Sequence, residues 1–168
     1  YVNQLWVCDI TYIYTTDDKF CYLHLVTDAF SRMVIGYVLA PTLEAKYTIE
    51  ALQQAISHAG SGNLCGTIHH SDRGVQYCCD EYITQLKAHH IRISMTEDSN
   101  PTDNGIAERV NGIIKNEFLE PLQTPKNLLE ALPLVDHAVH TYNTLRPHLN
   151  LNMRTPAQVY EGNNNFIG

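Results

Sequence analysis

The chain has 168 residues, 44% of them hydrophobic and 17% charged, enough to close a core within one domain. Eighteen acidic residues against eleven basic ones give a formal net charge of −7, which argues against a free-standing nucleic-acid binder that works by neutralising phosphates. No apolar run approaches the ~18–20 residues that cross a bilayer, no secretory leader pattern opens the chain, and five cysteines (Cys8, Cys21, Cys65, Cys78, Cys79) without C-x-x-C spacing fit reduced thiols better than a disulfide framework or a zinc site.

Residues 4–14 (QLWVCDITYIY) are rich in β-branched and aromatic side chains and predict a strand, after which TTDDK has turn composition. CYLHLV (21–26) and MVIGYVLA (33–40) predict two further strands around the turn-like TDAFSR; links this short favour an antiparallel meander, which Pro41 ends. From Leu43 to Ala59 the period becomes helical, with Ile49, Leu52, Ile56 and Ala59 on one stripe and Gly60, Ser61 and Gly62 closing it. CGTIHH (65–70) predicts a short buried strand and residues 80–90 (DEYITQLKAHH) a helix, with Cys78-Cys79 packed at its start. IRISM (91–95) is a strand, TEDSNPTD (96–103) a polar loop, and helices follow over 104–120 and 127–145. No repeat, low-complexity tract or internal linker interrupts residues 1–168. An antiparallel meander followed by α/β alternation implies an α/β domain with a five-stranded mixed sheet and helices on both faces, the element order of the ribonuclease H-like fold.

Three acids fall where chemistry needs them. Strand alternation puts Val7, Asp9 and Thr11 on one face and Trp6, Cys8 and Ile10 on the other. An acid inside an apolar strand is costly to bury unless it is paired or binds a metal, the alternative being a face open to solvent. Asp72 directly follows the fourth strand, beyond whose carboxyl end α/β sheets bind ligands, although an ordinary turn aspartate before Arg73-Gly74 would read the same. If the first and fourth strands are parallel neighbours, the two carboxylates meet and need a proton or a cation between them. Glu108 stands about a turn into the helix TDNGIAERVNGIIKNEF, which Asp103 or Asn104 can cap and whose stripe is Ile106, Val110, Ile113 and Ile114. Lys115 follows seven residues later, on the same face after two turns of ~3.6 residues, a pairing that a solvated helix also shows.

Thirty-five residues, 73–107, separate Asp72 from Glu108. The set Asp9, Asp72 and Glu108 thus resembles the D,D(35)E signature of the retroviral-integrase and bacterial-transposase superfamily, including its lysine seven residues after the glutamate. WVCDITYI, HHSDRGVQY, DNGIAERVNGIIKNE, YNTLRPH (142–148) and TPAQVY (155–160) resemble, in order, the successive blocks of IS3-type insertion-sequence transposases over nearly the whole chain. Two departures stand out: TEDSNPTDNG is more acidic than the family's usual loop, and the family's upstream helix-turn-helix region is missing. The expectation is therefore an integrase-type catalytic core spanning 1–168, part of a longer protein, since the first residue is Tyr1 and not Met.

The resemblance implies metal-dependent cleavage of transposon ends followed by transfer of the 3′-hydroxyl into target DNA. It implies two Mg²⁺ ions, replaceable by Mn²⁺, held by Asp9 as the shared ligand with Asp72 and Glu108 on one ion each. Lys115 would meet a DNA phosphate. Asn104 is expected to support the acids from the helix start. Of His69 and His70, one should face the core and the other the acids, either as a partner of Asp72 or in a structural role. Arg73 would brace its turn, and His89-His90 would occupy a favourable helix C-terminus. Implied partners are transposon-end and target DNA and further copies of the chain, with no membrane, in a bacterial cytosol. Two divalent ions would bring the charge of −7 to −3. The rivals are a nuclease of the same fold, which would want a further acid such as Glu50, and a catalytically silent DNA-binding or assembly module.

Overall fold

The computed structural model describes residues 1–60, 64–95 and 105–164. Strands β1 (Leu5–Thr15), β2 (Lys19–Asp28) and β3 (Val34–Ala40) form the antiparallel meander. After helix α1 (Ala45–Ala59), β4 (Ile68–Ser71) pairs parallel with β1, and β5 (Arg92–Met95) pairs parallel with β4. The sheet order is β3-β2-β1-β4-β5, the mixed ribonuclease H-like arrangement expected.

Alternation along the strands divides the core into two layers. On one face Trp6, Cys8 and Val26 pack with Leu52 and Ala55 of α1 and with Tyr82 and Leu86 of α3 (Asp80–Ala88). On the other, Leu23, Leu25 and Val34 pack with Val110 of α4 (Gly105–Ile113) and with Val135, Val139 and Tyr142 of α5 (Leu128–Thr144). β3 lies hard against α1. A Cβ on Gly36 would sit 2.8 Å from the Ala55 nitrogen and closer still to the Ala51 carbonyl oxygen, so only glycine fits there.

The corner between β2 and β3 is built by Asp28. Its carboxylate accepts from the Asn3 and Ser31 backbone N–H groups and from the Ser31 hydroxyl. The chain then passes through a left-handed Arg32 (φ 67°). The YNTLRPH block clamps this corner from α5. Tyr142 donates to the Arg32 carbonyl, and the Asn143 side chain bonds both the N–H and the C=O of Val34.

Several expectations change. The helix expected over 104–120 is α-helical only to Ile113; residues Ile114–Leu119 wind as a π-helical turn, closed by Glu120 N–H on the Lys115 carbonyl at 2.8 Å. Its buried stripe is Ala107, Val110, Asn111 and Ile114, whereas Ile106 and Ile113 are half-buried, because small Ala107 and polar Asn111 are the residues turned towards β1. A separate turn, α2 (Val75–Cys78), precedes α3, with extended Cys79 between them. Cys79 packs on the core while Cys78 is exposed; among the described residues no disulfide joins the five cysteines. A last helix, α6 (Pro156–Asn164), follows the TP dipeptide and had no separate prediction. The loop 96–103 and Asn104 lie outside the described residues.

Candidate active site

The parallel register brings the first two acids together. Leu5, Trp6 and Val7 pair with Ile68, His69 and His70, and Asp9 and Asp72 each follow two residues beyond the last of these pairs. Both line a cleft of about 130 Å³, together with Tyr12 of β1, Leu43, and Gln76 and Tyr77 of α2. Asp72 sits one residue past β4 and is exposed. Its Oδ1 accepts the Gly74 N–H at 2.8 Å, which fixes the carboxylate in a tight turn. A Cβ on residue 74 would lie 2.9 Å from that oxygen, so the turn keeps its shape because Gly74 has none.

Asp9 is half-buried in the middle of β1. The predicted alternation holds: Val7 packs on Ala107 of α4, and the Asp9 Oδ2 accepts from the Asn111 side-chain N–H at 2.6 Å. Burial pushes the Asp9 carboxyl up to about 6, and the negative charges of Asp72 and Glu108 add to the rise against bonds from the Ile10 backbone and Asn111. Among the described residues no cationic side chain contributes. Glu108, exposed in the first turn of α4, therefore acts electrostatically on Asp9 without lining its cleft. Among the described residues no three His, Cys, Asp or Glu side chains form a ready ligand cluster. The arrangement gathers negative charge around a half-buried carboxylate and leaves it uncompensated.

The other named residues fall elsewhere. Lys115 lies in the π-helical turn and lines a groove of about 360 Å³ with Tyr12, Tyr14 and Phe20, adjoining the cleft through Tyr12. His69 faces the core, where its Nε2 meets the Tyr82 hydroxyl at 2.7 Å and burial drives its pKa down to about 4, keeping it neutral. His70 Nδ1 meets the Ser94 hydroxyl of β5 at 2.9 Å. Among the described residues neither histidine bonds Asp72. Arg73 is exposed, its carbonyl facing the Cys78 thiol. Asn111 is the side chain bonded to Asp9 that the sequence reading passed over. It is the one polar member of the stripe 107, 110, 111, 114, three residues after Glu108, and that misplaced polarity was the available signal.

Comparison with known proteins agrees with the ordered sequence blocks. An integrase core domain profile matches residues 1–101, and a second profile of the same description matches residues 89–156. A Mycobacterium tuberculosis protein named for the transposase of insertion sequence element IS986/IS6110 is 36% identical over 122 residues, 71% of this chain and 44% of the relative. Transposase InsF of insertion sequence IS3A from Escherichia coli is 34% identical over 146 residues, 87% of this chain and 50% of the relative. The chain thus spans about half the length of these relatives. Among solved structures, the HTLV-2 integrase catalytic core domain in complex with magnesium superposes with a TM-score of 0.72 at 27% identity, covering 95% of this chain and 97% of that one. With more than half of its residues under a single profile, on a sheet that superposes on an integrase core, the chain belongs to the integrase core domain family.

Proposed function

We propose that this domain is the catalytic core of a DNA transposase, a polynucleotidyl transferase that cleaves phosphodiesters at transposon ends and joins the freed 3′-hydroxyl to target DNA. The observation that carries the reading is Asp9: a half-buried carboxylate sharing a cleft with Asp72, raised further by Asp72 and Glu108, with no side-chain cation among the described residues acting on it. A hard, all-oxygen donor set with uncompensated negative charge fits Mg²⁺ or Mn²⁺. Asp9 would be the shared ligand, with Asp72 and Glu108 completing the site for a pair of ions. When bound, these ions supply Lewis-acid activation of the attacking and leaving oxygens.

The chain's own residues do the positioning. Gly74 N–H holds one Asp72 oxygen and Asn111 holds one Asp9 oxygen, which leaves one oxygen of each carboxylate without these bonds at the cleft they line. In the first step a water oxygen attacks phosphorus and the 3′-oxygen leaves, taking up a proton. In the second, that hydroxyl's oxygen attacks a target phosphodiester and displaces the target's own 3′-oxygen. No covalent bond from the protein to DNA forms. Lys115, which lines a groove with Tyr12, would meet a backbone phosphate as a point charge. We take residues 1–168 as a catalytic core within a longer bacterial cytosolic protein, with its principal DNA-binding region upstream and copies of the chain assembled on paired ends. Among the described residues no helix is long and apolar enough to cross a membrane.

A nuclease of the same fold would want Glu50 near the acids. Glu50 instead lines a groove with Tyr37, Gln54 and His58, away from the residues of the Asp9 cleft, which favours the transposase over that rival. The test is anomalous diffraction from Mn²⁺-soaked crystals of the domain, followed by strand-transfer assays on the full-length protein. Density between Asp9 and Asp72, absent in Asp9→Asn, together with metal-dependent joining, is the expected result. An Asp9→Asn protein that still joins ends would sink the reading, and hybrid cleavage without joining would hand it to the nuclease.

A further inference from the structure

Helix α4 serves two sites. It carries Asn111 towards Asp9, and it carries Ile106, Arg109 and Ile113 towards a larger pocket of about 410 Å³. Arg32, Arg146 and His148 complete the polar side of that pocket, so three of the chain's six arginines converge in a protein whose net charge is −7. Arg146 is already committed: its Nε and Nη2 donate to the Glu117 carboxylate at 2.6 and 2.7 Å. Arg32 is not. Its backbone is pinned by the Asp28 corner and by Tyr142, yet its Nη1 is buried without a hydrogen-bond partner among the described residues. A buried guanidinium N–H left unbonded is costly, and an anion in the pocket would satisfy it. Arg109, exposed on α4 beside Glu108 and lining the same pocket, offers a second fork.

We propose that this pocket binds a backbone phosphodiester of a DNA strand, with Arg32 and Arg109 donating to the phosphate oxygens and Ile106 and Ile113 beneath the adjoining sugar. Arginine's planar fork suits a phosphate, and the volume accommodates a phosphate with its sugar. The assignment of DNA as the source of that phosphate rests on the transposase reading. The pocket would hold a strand at a fixed offset from Glu108, because Arg109 is its neighbour on the same helix.

His148 reports on the pocket. Burial holds its pKa below the ordinary value, the Arg146 and Arg32 charges add to the drop, and Glu117 opposes it. A bound anion raises it. The experiment titrates the 168-residue chain in EDTA with inorganic phosphate, then with a short oligothymidylate, following the His148 imidazole by NMR. Both ligands should raise the His148 pKa, and the oligonucleotide should displace phosphate. Arg109→Gln, an exposed change that leaves the fold intact, and Arg32→Gln should each weaken oligonucleotide binding by about tenfold or more. Lys46→Gln, on α1 and outside the pocket, should leave it unchanged. The proposal fails if His148 does not respond, if Lys46→Gln weakens binding as much as Arg109→Gln, or if phosphate binds and the oligonucleotide cannot displace it. Because the readout uses neither metal nor turnover, a silent His148 in a protein that still joins DNA ends removes only the pocket. A responsive His148 in a protein without metal-dependent activity removes only the phosphoryl-transfer reading.

Discussion

Two aspartates on neighbouring strands are buried to different ends. Asp28, with no exposed surface, closes the β2–β3 corner and receives three hydrogen bonds, two of them from backbone N–H groups. Asp9, half-buried on β1, receives one side-chain bond, from Asn111, and faces two other acids. Burial raises both carboxyls. For Asp28 the Ser31 and Asn3 bonds pull back, whereas for Asp9 further negative charge adds to the rise. A carboxylate held by donors is part of the scaffold; one with other carboxylates as its electrostatic neighbours suits the cation-binding role proposed above.

The largest expected effect is on activity. Asp9→Asn should lower strand transfer in the full-length protein by on the order of 10³-fold or more, measured as single-turnover joining. It should not lower stability at neutral pH, since it removes an uncompensated charge. The pH dependence sharpens this. The folded pKa of about 6 lies above the ordinary 3.8, so the stability contributed by protonated Asp9 is complete below about pH 4 and is lost as the pH rises through about 6. Urea denaturation of the domain without metal should therefore lose on the order of 2–3 kcal/mol from this group between those pH values. Asp9→Asn should abolish that share, and Mg²⁺ should offset it in the unaltered protein.

Asp28→Ala should do the reverse. It leaves two backbone donors and a hydroxyl in the corner without their acceptor and should cost about 3–5 kcal/mol of unfolding free energy. An Asp28→Ala protein of full stability would break the contrast between the two acids. The smallest effect is expected at Gly74. Alanine there pushes on the Asp72 carboxylate, the end of a flexible side chain, so stability should change by less than about 1 kcal/mol. Joining should nonetheless fall about tenfold, because the second acid is moved.

Much of this was legible in the sequence, for local reasons. The period of two along WVCDITYI gave the face of Asp9, and the position of Asp72 directly after CGTIHH gave its place past a parallel strand. The features that escaped depend on contacts or windings that periodicity does not encode. A helix that widens at Ile114 keeps its apolar pattern, so the π-helical turn carrying Lys115 has no local signature. Which of His69 and His70 enters the core depended on Tyr82, thirteen residues on. The YNTLRPH block was visible as a motif, but its work at the Asp28 corner spans 109 residues, from Asn143 to Val34. Asn111 was passed over for another reason: an asparagine on a buried stripe marks a site only once the facing residue is known to be an acid.

The grip of Asn143 on Val34 has a consequence for how copies of this chain can meet. β3 is the outermost strand of its side of the sheet, where unpaired backbone groups invite another chain to add a strand. Here the Asn143 amide occupies both the N–H and the C=O of Val34, and Gln54 of α1 occupies the N–H of Tyr37. The edge is thus answered from within by two side-chain amides. A partner seeking to extend the sheet along this stretch of β3 must first strip away three hydrogen bonds, which makes it a poorer template for strand addition.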